Sequence, residues 1–374
     1  MTELIAPPGL KGLAVADTAI GDVRGAEGFY HYRQYPAPML ARTHGFEAVT
    51  ALLLDGELAE DTTEIAVELA MRRRMTATVG RVVADGGADV LAVTRAALAA
   101  EAAISPFGPT LDLDPAERRS DVLRVIAVMP TLIAAAFRAR RGLPEIEPRP
   151  DLGHAANYLW MLDGDVPDPT RTRALERYLV STMDHGFNAS TFTARVITST
   201  GADVAGAVLG AMGALSGPLH GGAPSRVLDM IDDIGDPAGA ERWAAAELDA
   251  GRRLMGFGHA VYVGLDPRTE LLRETALELG GALVDRAVEI ERRLHAVLAE
   301  RRPDRPLATN VEYYAAVVLS LCGIPRQLFT PTFAASRVVG WGAHILEQAN
   351  ERRIMRPSAR YIGPSVHQLG TVPS

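Results

Sequence analysis

Apolar residues in this chain recur three and four positions apart, in segments that open on Asp-Pro or a polar residue and close on arginine or glycine. That spacing puts one apolar stripe on a 3.6-residue helix and leaves little for a sheet. Residues 61–75 place Ile65, Leu69 and Ala70 on one face. Asp114-Pro115 opens a longer segment: Asp caps, Pro fits the first turn, and Glu117 favours the positive end. Val122, Val125, Ile126, Met129, Ile133 and Phe137 follow, and Arg138 to Gly142 stop it. Pro130 is expected to kink it. Asp168-Pro169 repeats the start, through Leu175, Leu179 and Met183. Residues 202–215 are rich in Ala and Gly, as close helix packing favours. Pro267 opens a segment with Leu271, Leu272 and Leu279, and 282–302 and 333–350 are further amphipathic helices. Strict polar/apolar alternation is nowhere long enough for a sheet, and Arg81-Val-Val is too short to count. The prediction is an all-α fold. Arg72-Arg73-Arg74 reads as a solvated or dimer-facing helix surface.

The chain has 374 residues, room for more than one domain. Glycine- and proline-rich joints fall near 142–153, 217–224 and 323–331. The last two read as hinges bracketing an inserted smaller domain, 221–323, within a large domain of 1–220 and 324–374. A formal net charge of −8 argues against nucleic acid as a partner. One cysteine, Cys322, sits in an apolar run, which excludes a disulfide framework and fits a buried thiol. The first eight residues lack a leader's basic-then-apolar pattern. The apolar runs fall short of the ~18 residues of a membrane span. The expectation is a soluble, cytoplasmic protein.

Three stretches set a proton-carrying side chain where glycine, proline or a polar turn shapes the backbone: Ser216-Gly-Pro-Leu-His220-Gly-Gly, Met255-Gly-Phe-Gly-His259 and Thr309-Asn-Val-Glu312. Two histidines and a carboxylate suit proton transfer near neutral pH. At His220, Gly221 and Gly222 open the backbone to a ligand. A helix starting at Ala223 or Pro224 would offer free N–H groups and keep the ring neutral. The plainer alternative is a helix cap. His259 and Arg268 bound one loop, where the arginine suits a carboxylate and the histidine a carbonyl; a surface turn is the alternative. Arg337 sits among apolar residues and needs an anion or a carboxylate partner, unless it faces water. Glu312 lies in an apolar run that would raise its pKa; a solvated carboxylate is the alternative. His185, in Asp184-His-Gly-Phe-Asn188, reads equally as a buried, satisfied histidine. A metal-dependent hydrolase using His185, His220, His259 and Glu312 lacks the i,i+4 ligand pair, and arginines beside the site would repel a cation.

In register, these pieces resemble the citrate synthase family: DHGFNASTFTARV around His185, SGPLHGGAPSRVL around His220, LMGFGHAVY and DPR around His259 and Arg268, TNVEYYAAVVL around Glu312, and SRVVGWGAHILEQ around Arg337. The opening GLAVADTAIGDVRGAEGFYHYR also looks like the family's. The resemblance implies a homodimer with the site between a large and a small mobile domain, condensing acetyl-CoA with oxaloacetate to citrate, with CoA as co-substrate and no resident cofactor or metal. By the same matching, Glu312 would abstract the methyl proton, His220 stabilise the enol oxygen and His259 polarise the keto carbonyl. His185, Arg268 and Arg337 would hold the keto acid, with Arg356 supplied by the second subunit. A 2-methylcitrate synthase using propionyl-CoA, or a binding homologue without turnover, shares these motifs. Two positions depart from the family pattern. Glu312 stands where most members carry aspartate, and Ala260 and Val263 stand where bacterial members place basic residues for CoA phosphates. Arg252, Arg253 and the Arg301–Arg305 cluster are the expected substitutes.

Overall fold

The computed structural model describes residues 5–221, 224–259, 261–262, 264–304 and 307–364. A small antiparallel sheet comes first, with β1 (Gly21–Arg24) on β2 (Phe29–Tyr32), and β2 on β3 (Tyr35–Pro36). Among the described residues sixteen α-helices follow. The first ten are α1 (Ala37–Thr43), α2 (Phe46–Asp55), α3 (Thr63–Met71), α4 (Ala77–Ala84), α5 (Val90–Ile104), α6 (Pro115–Arg140), α7 (His154–Asp163), α8 (Pro169–Thr182), α9 (Ala189–Thr198) and α10 (Val204–Leu215). The others are α11 (Pro224–Ile234), α12 (Ala240–Asp249), α13 (Pro267–Leu279), α14 (Ala282–Arg301), α15 (Val311–Leu321) and α16 (Phe329–Glu351). The all-α class holds. The sheet is the element that alternation did not reveal, because its strands are four, four and two residues long. Tyr30 and Tyr32 alternate inward there, their hydroxyls donating to the carbonyls of Ser181 and Val180 at 2.9 Å. The sheet is thereby a brace under the C-terminal end of α8. Arg81-Val-Val lies inside α4.

Helix starts follow the caps. Asp114 and Glu117 form a reciprocal capping box on α6, Asp168 accepts from Thr170 and Arg171, and Asp266 accepts from the Arg268 amide. Helix α6 is long and apolar enough to cross a membrane, which the reading of shorter runs did not foresee. It is mostly buried inside the fold, against α5, α7 and α16. Pro130 sits within it without ending it.

Within the arginine triplet, Arg74 is exposed as the solvated reading expects, but Arg73 is not. Arg73 is 2% exposed, and its guanidinium donates to the carbonyls of Arg149 (3.0 Å) and Leu152 (2.7 Å). It ties the 149–152 loop to the end of α3. Cys322 is buried, and burial pushes its thiol up to about 12.

Helices α11, α13 and α14 gather around α15, and α12 packs on α14. This group meets the rest of the chain through α13 and α15 on α8, α13 on α1, and α11 on α16. Ion pairs from three arginines cross that seam among the described residues: Arg42 to Glu274 at 2.9 Å, Arg177 to Glu278 at 2.5 Å, and Arg326 to Asp229 at 2.7 Å and to Asp232.

Candidate active site

Five segments supply the site, among them the turn after α10 that carries His220. The first is the turn after α8 that carries His185. Beside it runs the loop between α12 and α13, with Gly256, His259 and Tyr262. The polar start of α15 carries Glu312, and α16 carries Arg337 and Trp341.

The α12–α13 loop is stitched to the start of α15. Phe257 and Thr309 form an antiparallel bridge, Gly258 N–H donates to the Ala308 carbonyl (2.8 Å), and Asn310 N–H donates to the Gly256 carbonyl (2.9 Å). Gly256 has φ +80°, and a Cβ there would sit 2.9 Å from the Tyr313 ring, so glycine meets both constraints. Asn310 Oδ1 caps α15 on the Glu312 amide at 3.0 Å, while its Nδ2 donates to the Gly258 carbonyl at 2.7 Å. One side chain thus fixes both Glu312 and the approach to His259.

His259 Nδ1 accepts the backbone N–H groups of Val261 (3.0 Å) and Tyr262 (3.1 Å). The ring is neutral, its pKa lowered to about 4 by burial and then by Arg268, so its one proton sits on Nε2. That N–H faces Arg268 Nη2 across 3.2 Å. Two donors then point into one space, an arrangement that an anionic oxygen satisfies. Arg268 itself is 4% exposed and gripped through Nε (3.0 Å) and Nη2 (2.8 Å) by Asp266. Asp266 also accepts the Val311 amide at 3.2 Å. The carboxylate that holds Arg268 therefore holds the first turn of α15.

His185 Nε2 lies 2.9 Å from the Tyr262 hydroxyl, and its ring is 6.0 Å from that of His259. Burial, then Arg268, Arg337 and His259, keep it neutral, well below the usual histidine range. Arg337 is 1% exposed. Its Nε donates to the Thr182 carbonyl at 2.8 Å, and its Nη2 has no partner among the described residues. Burial lowers its pKa.

His220 is reached through Ser190. Its Nε2 lies 2.8 Å from Ser190 Oγ, which also accepts from Trp341 Nε1 at 3.1 Å and lies 2.7 Å from Asn188 Oδ1. Ser190 gives its own proton to Asn188 Oδ1, so neutral His220 carries its proton on Nε2 and donates it to Ser190 Oγ. Burial and then Arg337 lower its pKa to about 4. Gly221 makes room for the Leu215 carbonyl, which would lie 2.4 Å from an added Cβ; close packing therefore accounts for this glycine. Gly222, Ala223, Ala260, Val263 and Arg305 lie outside the described residues. The Glu312 carboxyl is pushed up to about 7 by burial, against a downward pull from Arg268.

The structure thus joins His185, His259, Arg268 and Glu312 in one electrostatic unit, with Arg337 and His220 linked to it through the 182–190 turn. Arg356 is exposed, past the end of α16. Arg252 is held by Glu247 through two contacts of 2.7 and 2.6 Å, Arg253 is exposed, and Arg301 pairs with Asp249 at 2.8 Å. Among the described residues no three His, Cys, Asp or Glu side chains group as a metal site. Tyr262, Asp266, Asn310 and Ser190 were not singled out in the sequence as site residues. Only Asp266 and Asn310 had a visible signal there, as polar residues directly before a helix.

A family profile described as citrate synthase, C-terminal domain, matches residues 9–358. A putative citrate synthase 2 from Mycobacterium tuberculosis is 44% identical over 278 residues, 74% of each chain. A 2-methylcitrate synthase from the same organism is 40% identical over 360 residues, 95% of this chain and 90% of that protein. Among solved structures, citrate synthase from Pyrobaculum aerophilum superposes with a TM-score of 0.87 at 35% identity, covering 98% of this chain and 94% of that one. The Thermoplasma acidophilum enzyme, solved in a ternary complex with carboxymethyl coenzyme A and oxaloacetate, gives 0.89 at 29% identity, covering 100% and 99%.

Proposed function

Because this chain belongs to the citrate synthase family, we propose that it condenses acetyl-CoA with oxaloacetate, releasing citrate and CoA. The observation that carries this reading is the shared anchor. Asp266 holds the Arg268 guanidinium and the first turn of α15 together, so a keto-acid grip and a carboxylate base are fixed relative to each other.

The carboxylate of Glu312 takes a proton from the thioester methyl group, which is too weakly acidic for a carboxylate alone. The negative charge gathers on the thioester oxygen, where an N–H of neutral His220 stabilises it. The enolate carbon then attacks the keto carbon of oxaloacetate, whose oxygen His259 Nε2–H polarises. Arg268, Arg337 and His185 hold the carboxylates of the keto acid, and water finally cleaves the citryl thioester. Three neutral histidines suit this work, because each donates a hydrogen bond without adding charge to a pocket that already holds two guanidinium groups. The replacement of aspartate by Glu312 leaves intrinsic basicity nearly unchanged, about 4.3 against about 3.9, and burial supplies the rest.

We further assign residues 221–323 to a small domain that closes on the remainder. The protein is read as a cytoplasmic homodimer in which Arg356 of the exposed tail reaches the partner's site. Arg253 and its neighbours serve the CoA phosphates. Thiol release with oxaloacetate and either acetyl- or propionyl-CoA tests the reading. Release with acetyl-CoA is expected to exceed that with propionyl-CoA. The reverse order would favour 2-methylcitrate synthesis, and no release with either would leave only a binding role.

A further inference from the structure

One buried ionic cluster touches none of the proposed chemistry. Asp184, Arg195 and His344 are 2%, 0% and 0% exposed. The Arg195 guanidinium donates to Gln348 Oε1 (2.9 Å), to Glu351 Oε1 (2.9 Å) and to the Glu347 carboxylate, all on α16. Its Nη1 also lies 3.2 Å from His344 Nδ1. A guanidinium only donates, so Nδ1 keeps its lone pair and the ring proton sits on Nε2. That N–H lies 3.3 Å from Asp184 Oδ1, close enough to pair with it though short of hydrogen-bond geometry, and neither atom has a hydrogen-bond partner among the described residues. The edge of Phe187 packs on the His344 ring at 5.6 Å. The second Asp184 oxygen accepts the Gly186 amide at 3.0 Å. The carboxylate therefore clamps the turn whose middle residue is His185. Helix α16 approaches this turn closely, since a Cβ on Gly340 would meet the Met183 carbonyl at 2.2 Å.

We propose that His344, set in one tautomer by Arg195, is a positioning residue for the keto-acid site. It draws Asp184 Oδ1 towards α16, which fixes the 184–186 turn and so the His185 ring. It also occupies the one acidic oxygen that would otherwise swing onto the free Nη2 of Arg337, two helical turns earlier. Arg337 then stays available to a substrate carboxylate. Burial alone would raise the Asp184 pKa; His344 and then Arg337 outweigh it and hold the carboxyl below its usual value.

The inference rests on the keto-acid reading of the site, so oxaloacetate binding to the unaltered protein, measured by calorimetry, is the first arm. No binding there sinks both ideas. With binding established, His344→Phe is expected to raise the oxaloacetate Kd and KM about tenfold or more, as misplaced binding groups do. The KM for acyl-CoA and kcat at saturation should stay within about twofold. His344→Gln, which can return an N–H to Asp184, should recover most of the loss. A parental oxaloacetate Kd in a folded His344→Phe protein overturns the proposal. So does an equal loss for both substrates without recovery by glutamine, because that marks a merely structural role. Should His344→Phe fail to fold, Asp184→Asn decides: a loss of about tenfold supports the proposal, and a parental Kd ends it.

Discussion

Glu312 shows how little of a residue's chemistry resides in its own side chain. Its identity gives an ordinary carboxylic acid, and burial moves its pKa to about 7. The histidines titrate far lower, His220 and His259 at about 4, so the acid limb of a pH–rate profile belongs to Glu312. Its deprotonated form is the proposed base. We expect kcat/KM to fall about tenfold per pH unit below about pH 7 and to level off above it. A flat profile from about pH 6 to 8 would contradict this. The same raised pKa means that folding binds the proton more tightly than the unfolded chain does. The stability this contributes is present at low pH and is lost as pH rises from the ordinary carboxylate range to about 7. Glu312→Gln should therefore lose turnover while binding oxaloacetate, and should gain melting temperature relative to the parent as pH rises through that window. Thermal melts at several pH values, with an activity assay, check both. The sequence pointed to a helix end near His220, but not to the burial and the Arg337 charge that lower its pKa. Which cationic side chain lies next to which ring is a tertiary fact that no local spacing states.

At the scale of elements, the helices were legible because their boundaries are chemical. Asp114, Asp168 and Asp266 cap helices that each carry proline at the first position. The sheet was not legible, because its short strands gain their order from Tyr30 and Tyr32 reaching the end of α8, far along the chain. The Arg72–Arg74 triplet was opaque for a related reason. A buried arginine satisfied by backbone carbonyls looks like a surface one until the loop that supplies the carbonyls is placed. The role of α16 was half visible. Arg337 stood out, but Gly340, Trp341 and His344 share its face and meet the turn and helix that follow α8. Asn310 is the element-scale test of the site. Removing its side chain frees both the first turn of α15 and the Gly258 carbonyl. Asn310→Ala should cost about 1–2 kcal/mol in urea denaturation and should lower kcat more than the stability loss alone would suggest.

On the scale of the whole molecule, the proposed division puts His259, Arg268 and Glu312 on the small domain and His185, His220 and Arg337 on the large one. The exposed tail beyond α16 carries Arg356 with Ile354, Tyr361 and Ile362 outward, as a segment seated on a second copy would. On the proposed homodimer, Arg356→Ala should leave the sedimentation behaviour and the melting temperature unchanged while weakening oxaloacetate binding about tenfold, the scale of a lost charged contact. Unaltered binding would remove Arg356 from the site. The stitch between residues 256–258 and 308–310 gives this division a further meaning. Because that seam ties the proposed proton acceptor to the proposed carbonyl-polarising ring, any rocking of the proposed lobes carries them off as a pair. A gaping molecule would then keep its base intact but separated from the donor that shelters enolate charge, so idle acyl thioester would survive until the second reactant has brought the halves together.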